Sequence, residues 1–326
     1  MTTLAEELFS KPIPEQVWHY TTIEALEGIL SSNKLWATDS RFTNDKTEFI
    51  HAKDIARTCI ANESLFSLTS FPPEELVGMM NRAFDEGPLS PVKNEIYLIS
   101  FSEAPDLLTQ WGLYANGSTG VGIAFDLRTI RPPKEAGIAV TFAPCVYEAN
   151  EKQELVASCF NSFTDTVRAK TDQVNNRAWM YEQLINWQLV DRKQGSTFNR
   201  QQFEHAQIEK MKSELIEAWS KTVFDLLRVA SHCKHQDFFA EHEWRLAMPR
   251  PADRPSQENP IKFRGTNDHI PYFESDLFGL EKLPITEIML GPLCTQKARV
   301  ENAIQQNGHD CLITESSIPL RNPQNM

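Results

Sequence analysis

The feature that most constrains this chain is a long helical block, from about Asn150 to His232, set between two groups of strand-like segments. In QIEKMKSELIEAWSKTVFDLLRVA, the residues Ile208, Met211, Leu215, Trp219, Val223, Leu226 and Ala230 keep the three-to-four spacing of one helix face. Before the block, LWATDS, EIYLISF and GVGIAF have the β-branched and aromatic content of strands, and GIAVTFAPCVYE reads as another. After it come WRLAM, PIKFR, IPYF, ITEIML and CLITES. Strands on both sides of the helices need one another to close a sheet. The pattern therefore predicts a single α+β domain over residues 1–326, with residues 150–235 as a helical insertion.

Shorter helices punctuate the strand groups. HYTTIEALEGIL opens with Thr21 and Glu24 at capping-box spacing, ahead of the apolar stripe Ile23, Leu26 and Leu30. TNDKTEF offers Asn44 or Asp45 as the cap of a helix running to about Ile60, and PPEELVGMMNRAF carries Pro at a helix start. PDLLTQWGLYANGST is helical up to its Asn-Gly turn, and TQKARVENAIQQN reads as the last helix. PRPADRPSQENP reads as a surface loop.

Composition narrows the function classes. The 326 residues are 41% apolar, enough for a substantial core, and 32 Lys plus Arg stand against 44 Asp plus Glu for a net charge of −12. A chain so acidic has no overall attraction to a phosphate backbone. The six cysteines are scattered, without a C-x-x-C pair, which argues against a zinc ribbon or a disulfide scaffold. No apolar run reaches membrane-spanning length, and MTTLAEELFSKPIPEQ lacks the succession of a signal peptide, so a cytoplasmic protein with no membrane partner is expected.

Few short stretches carry chemistry by themselves. In EHEWRL, period two places Glu241, Glu243 and Arg245 on one strand face, an exposed charged edge or a device for handling positive charge. GSTGVG has neither dinucleotide nor P-loop glycine spacing and reads as a turn followed by a tightly packed strand. His232, Cys233 and His235 fit no common zinc spacing and flank Lys234, so no metal is expected. HYTT puts an imidazole and a phenol at a strand end, and SFSEAPDLLTQWGLYA brings Ser102, Trp111 and Tyr114 to the end of another.

Together these motifs resemble a widespread bacterial family described only as a domain of unknown function. The resemblance is carried by His19-Tyr20-Thr21, Leu35-Trp36, Phe42-Thr43-Asn44-Asp45 with Glu48, Phe101-Ser102, Trp111 with Tyr114, Gly120 to Asp126, and Glu241 to Arg245. It spans about residues 17 to 295, departs by inserting Thr43, and within the helical block carries over Lys234 alone. More distantly, the motif order is similar to that of the ADP-ribosyltransferase superfamily, where a His near a first strand, a Tyr or Ser at a second and a Glu at a later strand form the site.

That resemblance implies a split β-sheet core with flanking helices, NAD as substrate, and transfer of ADP-ribose to an unknown protein or nucleic-acid acceptor, or hydrolysis of NAD, in a defence, toxin or stress setting. Glu243, His19 and Glu241 would be catalytic. Tyr20, Thr21, Asn44, Glu48, Ser102, Trp111, Tyr114, Lys234 and Arg245 would bind the dinucleotide. Cleavage between nicotinamide and ribose develops positive charge on the sugar, which a fixed carboxylate stabilises most in the transition state. Two other readings use the same residues: a non-catalytic binding or regulatory module, and a nucleic-acid-processing enzyme similar to RNA 2′-phosphotransferases, for which a basic cleft is needed.

Overall fold

The computed structural model describes residues 3–45, 48–61, 78, 81–82, 85, 94–128, 130, 140–175, 200–251, 260–265, 269–277 and 279–321. The helix expected in PPEELVGMMNRAF falls almost wholly outside them, as do residues 252–259 of the loop PRPADRPSQENP, whose first three residues instead end a strand. Before the sheet comes a short helix, α1 (Leu4–Phe9), whose capping box pairs Thr3 with Glu6.

Strand β1 (Val17–Thr21) leads into helix α2 (Ile23–Ser32), then strand β2 (Leu35–Asp39) and helix α3 (Glu48–Ala61). The cap of α2 corrects the sequence expectation. Thr22, not Thr21, accepts from the Ala25 amide, because Thr21 still pairs with Val121 in the sheet. Strand β3 (Asn94–Ser102), helix α4 (Leu108–Tyr114), and strands β4 (Val121–Phe125) and β5 (Thr141–Pro144) complete the first half. Helices α5 (Ala149–Asn175) and α6 (Arg200–Ala230) form the helical block. Strands β6 (Glu243–Pro251), β7 (Lys262–Arg264), β8 (Ile270–Ser275) and β9 (Ile285–Leu290), helix α7 (Lys297–Gln306) and strand β10 (Leu312–Glu315) follow.

Among the described residues, the ten strands join one mixed sheet, in the order β10-β9-β4-β1-β3-β2-β8-β7, with β6 on β3 and β5 on β6. Strands from before and after the helical block thus interleave. The longest ladder joins β3 to β6 from Asn94–Pro251 to Ser102–Glu243, and among these strands β9 and β10 are the pair that runs parallel. The centre of EIYLISF, Ile96 to Ile99, is buried without a break because both faces of β3 are covered there. Ile96 and Leu98 pack with α1, α3, α5 and α6 on one side, through residues such as Leu8, Ala56, Phe160 and Leu226. Tyr97, Ile99 and Phe101 pack on the other with α2 and α7, through Leu26, Ile29 and Val300. The stripe read in the helical block holds where side chains are described: Val223 and Leu226 are in the core and Trp219 packs against it.

Gly117 of GSTGVG takes a left-handed turn (φ 62°), and the other two glycines serve packing. A Cβ on Gly120 would overlap the Thr21 carbonyl, and one on Gly122 would lie 3.3 Å from the Trp111 ring. Both allow the chain to close tightly on β1 and α4.

Candidate functional site

β1 and β2 lie along the same edge of β3 without meeting. β2 pairs at Thr38–Leu98 and β1 at Trp18–Ser102, and a cavity of about 400 Å3 opens between them, lined on its β3 side by Leu98, Ile99 and Ser100. That size is within the ~300–1,000 Å3 of small-molecule sites. His19 and Thr21 of β1 form one wall, and Trp36 and Thr38 of β2 the opposite one. Asn44 and Asp45 from the loop after β2, Tyr114 of α4, and the cations Lys234, Arg245 and Arg264 close it.

His19 reaches the β3 edge inside the gap. Its Nδ1 lies 3.0 Å from the Ser100 carbonyl, so the proton sits on Nδ1 and the other ring nitrogen is left as an acceptor. Desolvation, the dominant cause, lowers its pKa and keeps the ring neutral.

Beneath the cavity lies an ion network. Lys234 bonds Glu241 Oε2 and Glu243 Oε2, and Arg245 Nε reaches Glu243 Oε1 at 2.9 Å. Arg245 also donates to the Ser231 carbonyl at 2.9 Å, and the Tyr147 hydroxyl accepts from the Glu243 amide at 2.8 Å. Burial alone would raise the Glu243 carboxyl; Arg245 and then Lys234 outweigh it and hold the pKa at about 2. The same acids hold the Lys234 ammonium above its usual range against desolvation. The exposed-edge reading of EHEWRL is thereby overturned, since Glu241, Glu243 and Arg245 are 4%, 3% and 1% exposed.

The three do not share one strand, a further correction. β6 begins at Glu243, whereas Glu241 ends a 3-10 helix (Gln236–Glu241) and is turned toward Glu243 by a left-handed His242 (φ 45°). Lys234 draws the two acids together. Glu241 also receives the Tyr114 hydroxyl on Oε1 at 3.0 Å, while Tyr114 accepts from Asn44 Nδ2 at 3.0 Å. A polar chain thus runs from the loop after β2 through the cleft wall to the buried acids.

Residues 110–246 match the family described as "Protein of unknown function (DUF2971)". The matched stretch contains Trp111, Tyr114, Lys234, Glu241, Glu243 and Arg245, whereas His19, Thr21 and Asn44 precede it. No curated protein and no solved structure matches the chain.

Of the residues singled out in the sequence, His19, Thr21, Asn44, Tyr114, Lys234 and Arg245 line the cavity. Glu241 and Glu243 lie behind it, joined to its wall through Lys234 and Tyr114. Tyr20, Ser102 and Trp111 support it instead of lining it. Trp111 is fully buried edge-on to Tyr20, with ring centroids 4.8 Å apart, and donates Nε1 to Asp106 at 2.8 Å. The Tyr20 hydroxyl accepts from the Leu107 amide at 3.2 Å, pinning the start of α4, and burial pushes its pKa up to about 12. Ser102 donates to the Glu241 carbonyl at 2.8 Å. Glu48 opens α3, and its side chain is outside the described residues.

Sequence reasoning gave Arg264 no role in the site. It sits on a three-residue strand after a Pro-rich loop, too short for alternation to reveal which face it presents. Asp45, a candidate helix cap and part of the motif Phe42 to Asp45, accepts from the His235 amide at 2.9 Å and so ties the loop after β2 to the segment bearing Lys234.

Proposed function

We propose that the cleft between β1 and β2 binds a nucleotide of the NAD type and that the protein acts as an ADP-ribosyltransferase-like enzyme or NAD glycohydrolase. The observation that carries this reading is the gap itself: β3 leaves part of its edge uncovered, and a neutral histidine, a tyrosine and three cations converge there. His19, proton on Nδ1, offers an acceptor to a ribose hydroxyl. Tyr114, its proton given to Glu241, offers oxygen lone pairs and a ring beside the nicotinamide.

The roles of the two acids separate in this proposal. Glu243, with cations on both oxygens, positions Lys234 and Arg245. Glu241 has one cationic partner and reaches the cleft through Tyr114, so its charge bears on a developing sugar cation. The four groups Lys234, Arg245, Glu241 and Glu243 sum to zero charge, which favours a second reading: a non-catalytic module that binds the nucleotide and does not cleave it.

Nicotinamide release from labelled NAD, with and without cell lysate as acceptor source, separates the two. Turnover is expected in the wild type, falling roughly a hundredfold in His19→Ala and in Tyr114→Phe with wild-type melting temperatures. Binding of NAD without release under every condition establishes the module. Absence of both binding and release overturns the nucleotide reading.

A further inference from the structure

Arg264 is the cation of the cleft that the buried acids do not neutralise. Lys234 and Arg245 each bond a carboxylate. Arg264 donates Nη2 to the Thr38 hydroxyl at 2.8 Å and, among the described residues, has no carboxylate at ion-pair distance. The register of β2, β8 and β7 explains its place: Thr38 pairs with Tyr272, Tyr272 with Lys262, and Arg264 with Ile270. Alternation along each strand then puts Trp36, Thr38, Tyr272 and Arg264 on one face. The guanidinium lies 5.6 Å from the Trp36 ring centroid and 5.9 Å from that of Tyr272, and the two rings are 4.5 Å apart.

A guanidinium carries five N–H donors in a planar fork and stays charged at any physiological pH. Half-buried against two rings, it gives up part of its hydration, and the Thr38 oxygen satisfies only one donor. An anion that fills the remaining donors recovers that loss through charge-assisted hydrogen bonds. Thr38, whose oxygen accepts from Arg264, keeps its own hydroxyl proton for the same anion. Trp36 lines the cavity, stacks against Tyr272 and remains 38% exposed, which leaves part of the indole available to a planar ring.

We propose that Arg264, Thr38 and Trp36 form the phosphate-and-base subsite of the cleft, taking a nucleotide phosphate on the guanidinium and hydroxyl and a planar base on the indole. The assignment rests on the reading of the cleft as a nucleotide site. It places the ligand's anionic part at the β7 side, away from the neutral sum of Lys234, Arg245, Glu241 and Glu243.

Calorimetric titration of the full chain with AMP, adenosine and inorganic phosphate tests it. AMP is expected to bind at least about tenfold more tightly than adenosine, the margin of a charge-assisted contact. Arg264→Met should erase that margin and leave adenosine affinity unchanged, Arg264→Lys should keep part of it, and Trp36→Ala should weaken AMP and adenosine alike. If Arg264→Met lowers the melting temperature, Arg264→Gln serves as the neutral variant. Equal affinities of AMP and adenosine for the wild type, or a neutral variant that retains the AMP preference, overturn the subsite.

NAD turnover run alongside keeps the two ideas distinguishable. An AMP preference lost in Arg264→Met, with no nicotinamide release by the wild type, upholds the subsite and removes the enzymatic reading. Turnover with a KM for NAD unchanged in Arg264→Met does the reverse.

Discussion

Glu243 shows at the scale of one residue how a charge is kept in a core. Its carboxylate is nearly excluded from water, and two cations restore more than burial removes. Glu243→Gln keeps the shape but leaves the Arg245 guanidinium without that anion; the expected loss of stability is about 3 to 5 kcal/mol, read from denaturant midpoints at neutral pH. The pH dependence has a definite sign. The folded pKa is about 2 against an ordinary 4.5, so the unfolded chain binds the extra proton between those values. The stability Glu243 contributes is complete above about pH 4.5 and is lost as pH falls toward 2. Wild type and Glu243→Gln should therefore converge in stability as pH falls from 5 to 3. A difference that stays constant over that range would show that the ion network does not hold the acid ionised.

At the scale of elements, the cleft depends on how β1 is held between β4 and β3. β1 pairs along its whole length with β4 but at a single point with β3, so β4 sets its position. The turn before β4 is drawn onto β1 at Gly120, whose amide bonds the Ala115 carbonyl at 2.9 Å and whose carbonyl accepts from Gly291 at 2.9 Å. An added methyl meets the Thr21 carbonyl, a backbone atom that cannot rotate away. Gly120→Ala should cost about 1–3 kcal/mol or more and displace Thr21 in the cleft wall. A thermal melt within a degree of wild type would show that the close approach is not needed. GSTGVG thus bears on the cavity through the wall it positions.

The whole molecule ties its helical block to the sheet. Val156, Phe160 and Phe163 of α5 and Val223 and Leu226 of α6 bury the face of Ile96, Leu98, Ala143 and Ala247. Lys152 donates to the Lys234 carbonyl at 3.1 Å, so α5 also anchors the segment that supplies the site's lysine. Replacing residues 150–229 by a short Gly/Ser linker would bare that apolar face to water. The expected result is loss of the cooperative melting transition and aggregation; a soluble variant that melts as sharply as the full chain would show the block to be dispensable. Among the described residues, no helix is long and apolar enough to cross a membrane.

Local patterns were enough to determine most of the longer elements, but not the short helix α1 or the 3-10 helix ahead of β6. The strand-like content of IPYF and ITEIML, the helical reading of TQKARVENAIQQN and the run EIYLISF correspond to β8, β9, α7 and β3, because each reflects surface that must be buried. The return of strands after the helices likewise showed in the sequence as segments that needed partners. Nearly all of the motif residues lie in or beside the cleft, on β1, β2, α4, the start of β6 and the segments that lead into them. Only the tertiary structure decided what they do there. That Glu241 leaves the strand, that Lys234 stands between two acids, and that Arg264 faces His19 across a gap in one sheet follow from pairings between residues far apart in the chain, and side-chain period carries no information about which edges meet.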